Sequence, residues 1–404
     1  MTYKIVTSSN LTEQELLITA TASIDVGPGY PQISLPSWLN EILYDTSYLG
    51  LSYSIPSVTT IKETGKLDIE LLKSVCKSLS IDETNSAYGF ITFSGSIAIN
   101  RVLAAVLYPG DSIVTTNPSI DIVAAMVSEY RNIDLIHAIA DEATFRISVE
   151  EIERVTKKNT KAIVITSPEN PSGVIFTEKQ IKQLVEFAVD RNIILIFDQC
   201  FAKVNPFERE IPLLPNYALQ NLKWVFVWDT GKTFGLNAEK LGFVFCSPDL
   251  RASLQKRFNV MQFDVSRRQK IIFKAILDTA YQENYYDYLS NIVRWNILKV
   301  MQRCENLPIR AIQPEAGSLL MLDVTEVEHA PNDNTFADKL LVEKGVGVVK
   351  VSAFYYPDLY GNKPKQYKNF VRIALARNHQ IIDKTLERIA QFCFADAKQF
   401  LNQQ

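Results

Sequence analysis

The sequence predicts an α/β fold, with a mainly parallel central sheet in a large domain and a smaller α+β domain beside it. The chain has 404 residues, which is more than one hydrophobic core usually organises. From about residue 88 to 246, short β-branched runs alternate with amphipathic stretches, a pattern typical of a parallel sheet covered by helices. After about residue 265 the pattern changes to long helices followed by short strand-like runs, which indicates the second domain.

These changes of pattern divide the chain into three segments. Residues 1–44 are expected to form an N-terminal arm with a Gly/Pro turn at Gly27–Gly29, which belongs with the small domain and covers the active site. Residues 45–265 are expected to form the large domain, and residues 266–404 the small C-terminal α+β domain.

Seven runs of β-branched and aromatic residues are predicted to be the strands of the large domain. In chain order they are GFITFS, DSIVTTN, IDLIHAI, KAIVITS, IILIFD, WVFVWD and LGFVFCS. Among the intervening helices, one from Thr177 to Arg191 begins at a capping threonine and has Gln180 three residues later. The small domain is predicted to contain the strands SLLMLDV, VGVVKVS and FVRIALA and a closing helix from about Gln380.

Composition and charge exclude several classes of protein. The net charge is −3 and no block of Lys and Arg is present, which argues against nucleic acid or an anionic membrane as a partner and favours a small-molecule substrate. The polar start has no apolar core of the length that a secretion signal needs, and no window approaches ~18 uncharged apolar residues. We therefore expect a cytoplasmic protein.

The cysteines indicate neither a disulfide framework nor a metal site. They are odd in number and lack CxxC spacing, so buried, reduced thiols are expected. The five are Cys76, Cys200, Cys246, Cys304 and Cys393.

Three polar residues follow predicted strands, where ligands of such sheets bind. Asn170 lies in the segment SPENPSG, Asp198 comes 28 residues later at the end of a strand, and Lys232 a further 34 residues on, in WDTGKTFG. Taken one at a time, these residues have simpler explanations. Asp198 would more often cap a helix or turn, Asn170-Pro171 would form a turn, and Lys232 would be solvated. Their joint order favours a pyridoxal-phosphate (PLP) site, which needs a lysine for the imine, a carboxylate for the pyridine nitrogen and a donor to the ring oxygen.

On these motifs the chain resembles the class I/II aminotransferases of PLP fold type I over essentially its whole length. The resemblance implies that Asn170 bonds the ring oxygen, that Asp198 pairs with the pyridine nitrogen and that Lys232 forms the Schiff base. It also implies that Arg372, in VRIALAR, holds the substrate α-carboxylate, a task that suits its planar fork. Relatives of this fold usually form homodimers, so a homodimer is expected.

The phosphate of the cofactor is expected at Ser94, Gly95 and Ser96, which follow a strand and open a helix. Small residues there allow backbone N–H groups at a helix N-terminus to face an anion. Lys240 stands where many relatives have an arginine and is expected to supply a counter-charge.

Several positions depart from the usual pattern of the family. Phe201 stands where a tyrosine often donates to the ring oxygen, and Ile120 where an aromatic residue commonly stacks on the ring. Asp229 replaces a serine that helps to hold the phosphate, and its carboxylate would be repelled by a phosphate by about 1 to 4 kcal/mol at contact. We therefore expect Asp229 to face elsewhere, toward a cationic substrate, although a simple role in capping the local turn stays open.

This variation resembles a small branch of PLP enzymes that modify arginine, namely capreomycidine and enduracididine synthases and PLP-dependent arginine oxidases and hydroxylases. The segments that carry the resemblance are DTGK at Asp229–Lys232, VRIALAR at Val371–Arg377 and LTEQELL from Leu11. In relatives a glutamate of the arm helps to hold the guanidinium, and Glu15 matches it. Without the resemblance, Glu15 would simply be a solvated helix residue.

The arginine oxidases and hydroxylases also have a histidine in the turn after the arm helix, and Gly29 occupies the matching place here. The three histidines of the chain, His137, His329 and His379, lie outside every motif. This departure argues against the dioxygen-using activity.

The favoured hypothesis is Cα deprotonation of arginine or hydroxyarginine by Lys232, then γ-elimination and closure to a cyclic arginine of the enduracididine or capreomycidine type. The acid for the leaving group is unassigned, with Tyr30 and Lys232 as candidates. The alternatives are an aminotransferase for a basic amino acid with a 2-oxo acid acceptor, an arginine oxidase or hydroxylase, and a binding protein that keeps the fold without catalysis.

Overall fold

The computed structural model describes most of the chain. The described residues are 11–45, 47, 58–129, 132–261, 265–355 and 369–394. Residues 1–10 of the expected arm and 395–404 of the expected C-terminal domain therefore lie outside the description.

The helices of the described part begin before the first strand and are interspersed with the strands along the chain. In chain order they are α1 (Leu11–Thr21), α2 (Ser37–Tyr44), α3 (Val58–Leu79), α4 (Gly95–Val106), α5 (Asp121–Glu129), α6 (Val149–Val155), α7 (Glu178–Arg191), α8 (Gly231–Phe234), α9 (Arg251–Met261), α10 (Arg267–Gln282), α11 (Tyr285–Cys304), α12 (Asp333–Lys344) and α13 (His379–Cys393).

The strands form three sheets. In chain order they are β1 (Ile24–Asp25), β2 (Gly89–Thr92), β3 (Ser112–Asn117), β4 (Asp134–Ile139), β5 (Thr160–Thr166), β6 (Ile194–Asp198), β7 (Trp224–Asp229), β8 (Gly242–Cys246), β9 (Arg310–Ile312), β10 (Leu319–Asp323), β11 (Val346–Gly347), β12 (Val349–Lys350) and β13 (Phe370–Ala374).

The central sheet has seven strands in the order β2-β8-β7-β6-β5-β3-β4. Its neighbours pair in parallel from β7 to β4, whereas β8 runs antiparallel to both β7 and β2. Successive residues of β6 alternate between two apolar clusters, with Leu195 and Phe197 in one and Ile194 and Ile196 in the other. Since both faces are covered, the predicted α/β fold with a mainly parallel sheet is confirmed.

The predicted strands and the helix signal match the observed elements closely. All seven predicted runs contain the strands β2 to β8, with ends that differ by a residue or two. Thr177 caps α7 in the predicted way, because its hydroxyl accepts from Gln180 N while the Gln180 side chain accepts from Thr177 N.

A second sheet has the order β12-β13-β10-β9 and is antiparallel throughout. The run VGVVKVS supplies two strands instead of one, since β12 joins this sheet and β11 pairs in parallel with β1 of the arm. No sequence signal predicted β1 or β9, which have two and three residues.

The topology brings functional side chains to one edge of the central sheet. β5, β6 and β7 are adjacent and parallel, and they end at Thr166, Asp198 and Asp229. The five cysteines are free, and all but the half-buried Cys393 are buried. None of the helices in the described ranges is long and apolar enough to cross a membrane.

Candidate active site

Asp198 is a buried carboxylate at the end of β6. Its Oδ1 accepts a hydrogen bond of 3.1 Å from Cys200 N. Burial raises the pKa of Asp198, the bond from Cys200 opposes that rise, and the charges of Asp229 and Lys232 act on it in opposite directions. The two acids and the amine therefore lie within electrostatic range of one another, as their positions at neighbouring strand ends predicted.

Lys232 lies on the short helix α8 that follows β7, and its side chain is half-buried. Its Nζ lies 5.7 Å from the centre of the Phe201 ring. Tyr285 fixes this helix, because its hydroxyl donates to Thr233 O over 3.0 Å and its ring stacks on Phe234.

The predicted phosphate cradle is the N-terminus of α4. Ser94 Oγ is the cap and accepts from Ile97 N over 3.2 Å, and Ser96 is half-buried in the first turn. Gly95 is required by close packing, since a Cβ there would lie 3.0 Å from Cys200 Sγ. The backbone N–H groups and the positive end of the helix dipole make this an anion site.

Asp229 does not face away from the cradle, and the expectation that it would is wrong. Its Oδ2 accepts from Gly95 N over 3.2 Å, while Oδ1 accepts from Gly231 N over 2.9 Å and from Lys232 N over 3.3 Å. Two helix N-termini offer the carboxylate three N–H donors, which holds it in place without a cationic partner. The simpler interpretation, in which Asp229 caps the local turn, accounts for two of these bonds.

Lys240 lies beside the same turn. Its Nζ donates to Asn237 Oδ1 over 2.7 Å, and its Cδ would lie 2.8 Å from a Cβ placed on Gly231. The side chain is thus close to Asp229, but its role as a phosphate counter-charge stays a prediction.

The two residues expected at the faces of the cofactor ring lie on the segments after β3 and β6. Phe201 is buried and packs against Leu319 and Ala374, so it lies between the central sheet and the second sheet. Ile120 is half-buried directly before α5. Their contacts with the ring stay predictions.

Arg372 is fully buried on β13 and meets Asn170, as the two motifs predicted for one site. Its Nη1 donates to Asn170 Oδ1 over 2.9 Å, and its Nη2 donates to Gly27 O over 2.6 Å. The Phe354 ring centre lies 5.2 Å from the guanidinium carbon. The guanidinium therefore joins the Asn170 turn to the arm.

Glu15 lies on α1 with its carboxylate against the same arginine. Arg372 Nη2 donates to Glu15 Oε1 over 2.7 Å, across 357 residues of sequence. The resemblance placed Glu15 near a substrate guanidinium, but it did not predict that Glu15 binds the clamp arginine of its own chain.

Arg377 is a residue that the sequence reasoning missed, although the motif VRIALAR ends on it. It is fully buried and donates to three carbonyls of the arm, those of Asp25 (3.1 Å), Pro28 (2.7 Å) and Tyr30 (2.7 Å). Burial lowers the pKa of Arg377 to about 10. The one available signal was a second arginine at the end of the motif VRIALAR, a residue type that suits several acceptors at once.

The arm turn passes directly over Lys232. A Cβ placed on Gly29 would lie 3.9 Å from Lys232 Nζ and 3.6 Å from Phe201 Cζ. Asp25 begins the turn and accepts from Gly27 N over 3.0 Å. Burial raises the pKa of Asp25, and the charge of Glu15 raises it further.

The three histidines lie away from this arrangement. His137 is inside the edge strand β4 and does not end it, His329 packs edge-on against Phe392, and His379 Nδ1 lies 2.8 Å from Asn296 Oδ1. They therefore do not supply the histidine that the arginine oxidases have near the substrate.

Glu169 is a second residue that the sequence reasoning missed. It precedes Asn170, is buried, and accepts from Ser172 N over 3.1 Å and from the Ser172 hydroxyl. Burial raises its pKa to about 7. An acid inside a Pro-flanked turn gave no sign of such burial in the sequence.

The residues brought together fit PLP. They offer a buried carboxylate at Asp198, an amine at Lys232, an amide at Asn170 and an anion site at the start of α4. One feature opposes the fit, because Asp229 already accepts the Gly95 N–H and a phosphate has to displace it.

Comparison with known proteins agrees with the fold. A sequence model of the family "Aminotransferase class I and II" matches residues 58–389. The aspartate aminotransferase of Thermotoga maritima is 23% identical over 75% of this chain and 74% of its own length. A structure of an Escherichia coli protein with a methionine aminotransferase function aligns with a TM-score of 0.81 at 17% identity, over 97% of this chain and 99% of that one. N-succinyldiaminopimelate aminotransferase of Mycobacterium tuberculosis aligns with a TM-score of 0.79 at 17% identity, over 94% and 96%.

Proposed function

The chain belongs to the aminotransferase class I and II family and is a PLP-dependent enzyme, and from this premise we propose that it transfers the amino group of an amino acid with a cationic side chain to a 2-oxo acid. The relatives are aminotransferases by name, which supports transfer better than cyclisation of arginine. The observation that carries the substrate class is a pair of arm carboxylates: Glu15 binds the proposed substrate clamp Arg372, and Asp25 lies within electrostatic range of Glu15.

The charges of the arm support a substrate with a cationic side chain. Burial raises the pKa of Asp25, the N–H of Gly27 and the charge of Arg377 oppose that rise, and repulsion from Glu15 adds a smaller increase. A guanidinium or ammonium close to both would relieve this repulsion and would stabilise the charged form of each acid. Asp229 is a weaker candidate for this task, because three backbone N–H groups already bind its carboxylate.

The remaining site residues are assigned roles that their surroundings allow. Bound PLP supplies an electron sink for charge at the substrate Cα. Lys232 carries the cofactor and then accepts the Cα proton, and Asp198 holds a proton at the pyridine nitrogen. Arg372 binds the α-carboxylate, and Asn170 is free to donate through Nδ2 because its Oδ1 already accepts from Arg372.

The cofactor is held at its phosphate and at its ring faces in this proposal. Ser94, Gly95 and Ser96 bind the phosphate, with Lys240 as counter-charge. Phe201 and Ile120 line the ring. These assignments rest on position, since Ser94–Ser96 follow β2, Phe201 follows β6 and Ile120 follows β3.

The test is incubation of the enzyme with arginine, 4-hydroxyarginine, ornithine or lysine, with and without 2-oxoglutarate, followed by mass spectrometry. We expect glutamate only when the acceptor is present, together with many equivalents of the 2-oxo acid of the basic donor, whereas without acceptor at most one equivalent of that 2-oxo acid forms per active site. A dehydrated cyclic product formed without acceptor would instead identify a cyclase, and peroxide an oxidase. Lys232→Ala is the control and should form none of these products.

A homodimer is part of the proposal. Phe93, directly before the cradle, is 41% exposed, which a partner subunit would cover. Light scattering should give about twice the chain mass of 45.7 kDa, and a monomer at working concentration would contradict the assignment.

A further inference from the structure

One nitrogen of the Arg372 guanidinium, Nε, has no acceptor among the described residues. Nη1 and Nη2 bond to Asn170, Glu15 and Gly27, as described above, but Nε is buried and has no hydrogen-bond partner among the described residues. A buried donor left unsatisfied costs free energy, so this edge of the guanidinium favours a further acceptor.

Glu15 binds only one of the two nitrogens on the Nε–Nη2 edge of Arg372. A carboxylate can accept from Nε and Nη2 of an arginine at once, in a forked pair. Glu15 makes one of these bonds, through Oε1. A substrate carboxylate that reaches both nitrogens therefore has an advantage over Glu15 at the same position.

Glu15 can leave this position without unfolding the arm. Its side chain is 30% exposed, whereas that of Arg372 is fully buried. Other residues hold the helix α1, since Leu11 and Ile18 pack against Val349 and Phe354. Rotation of the Glu15 side chain is thus enough to free the arginine.

We propose that Glu15 is a displaceable occupant of the substrate clamp and thereby a determinant of specificity. In the substrate-free enzyme it neutralises Arg372. The α-carboxylate of the substrate takes its place, and the released Glu15 carboxylate then binds the cationic side chain of the same substrate. A substrate with a neutral side chain displaces Glu15 but leaves its charge uncompensated near Asp25, which disfavours that substrate. This last step rests on the proposed function.

The test uses two carboxylates that lack an α-amine and cannot react with the cofactor, pentanoate and 5-guanidinopentanoate. Each is titrated calorimetrically into the PLP-loaded wild type, Glu15→Gln and the control Glu178→Gln, which changes an exposed ion-pair partner of Lys182. Glu15→Gln should bind pentanoate about tenfold more tightly, because a neutral amide competes weakly for a buried arginine. Its preference for the guanidino acid should fall by a similar factor, while Glu178→Gln leaves the binding of both ligands unchanged.

Glu15→Asp separates this role from simple support of the arm. The shorter acid keeps the charge but does not reach Arg372, so it should also tighten pentanoate binding, whereas loss of a structural contact would weaken the binding of both ligands. Unchanged or weaker pentanoate binding in both Glu15 variants, with normal melting curves, overturns the proposal. The substrate class is judged separately, since it fails if the wild type shows no preference for the guanidino acid.

Discussion

At the scale of single residues, the sequence predicted where the site residues lie in the fold but not in which direction each side chain points. Strand ends place Asp198, Lys232 and Asn170 near one another, because parallel strands end at one edge of a sheet. The direction of the Asp229 carboxylate depends on Gly95, which lies 134 residues away in the chain. The prediction considered only the repulsion between the Asp229 carboxylate and a phosphate. It did not include the three N–H donors that decide where this side chain points.

Replacing Asp229 with serine should strengthen cofactor binding. The substitution removes a negative charge from the donor that the phosphate needs, and relief of about 1.4 kcal/mol corresponds to a tenfold lower Kd for PLP. The measurement is absorbance titration of the cofactor-free protein. Asp229→Asn, which removes the charge and keeps the size, should lie between the two, and weaker retention of PLP in both variants would contradict the prediction.

The buried acid Glu169 should make stability depend on pH. Its pKa rises from 4.5 in the unfolded chain to about 7 in the folded protein, so the folded state binds the extra proton between these values. The contribution of Glu169 to the free energy of unfolding therefore falls as pH rises from about 4.5 to 7, by about 3 kcal/mol, and then levels off.

Glu169→Gln should remove this dependence. Denaturant unfolding at pH 5 should give similar stability for the variant and the wild type, whereas at pH 8 the variant should be more stable. If the free energies of unfolding of the variant and the wild type differ by the same amount at pH 5 and pH 8, Glu169 does not titrate as described.

At the scale of elements, strand β8 and helix α4 meet backbone to backbone. A Cβ on Gly242 would lie 2.3 Å from the carbonyl carbon of Ser94, the cap of α4. The cradle therefore depends on a glycine in a different strand. A glycine in a strand often marks a close approach of another backbone, but the sequence did not show that the backbone approaching Gly242 is that of Ser94.

Gly242→Ala should destabilise the protein by about 3 kcal/mol and weaken PLP binding, because β8 or the start of α4 has to move. Gly65→Ala is the matched control, since Gly65 is an exposed residue of α3 and a Cβ there meets nothing within 4 Å. The control should raise stability by about 1 kcal/mol. Thermal unfolding and PLP titration test both, and equal behaviour of the two variants would refute the argument.

The sequence predicted long, regular elements well and very short ones not at all. Strands β2 to β8 have four to seven residues and a clear β-branched composition. β1 and β11 have two residues each, too few for any periodicity, and they exist because their backbones meet in the fold. The sequence predicted an arm that belongs with the small domain, but it did not predict the pairing of β1 with β11.

At the scale of the whole molecule, the arm is held by the last strand region. Arg377 binds three arm carbonyls and Arg372 binds a fourth, that of Gly27. These contacts join residues about 345 to 352 apart in sequence, a separation at which local pattern carries no information. Only the resemblance to a family indicated that both ends belong to one site.

Arg377→Lys should loosen the arm while the central sheet stays intact. A single ammonium cannot reach three carbonyls, and each lost bond to a charged donor costs about 1.5 to 3 kcal/mol. Hydrogen exchange should accelerate at residues 24–31 and remain slow in β5 to β7. Arg310→Lys, which changes an exposed ion-pair partner of Asp323, is the control. Slow exchange of the arm in Arg377→Lys would show that Arg377 does not hold the arm.

The pairing of β1 with β11 and of the arm with Arg377 also sets an order of events during synthesis. Residues 24–30 leave the ribosome long before residues 346–377 exist, so the first segment made has no binding partner until nearly the last one emerges. The central sheet can assemble in the meantime. Nascent chains stalled before residue 346 should therefore contain a folded sheet and an unprotected, protease-sensitive leading segment.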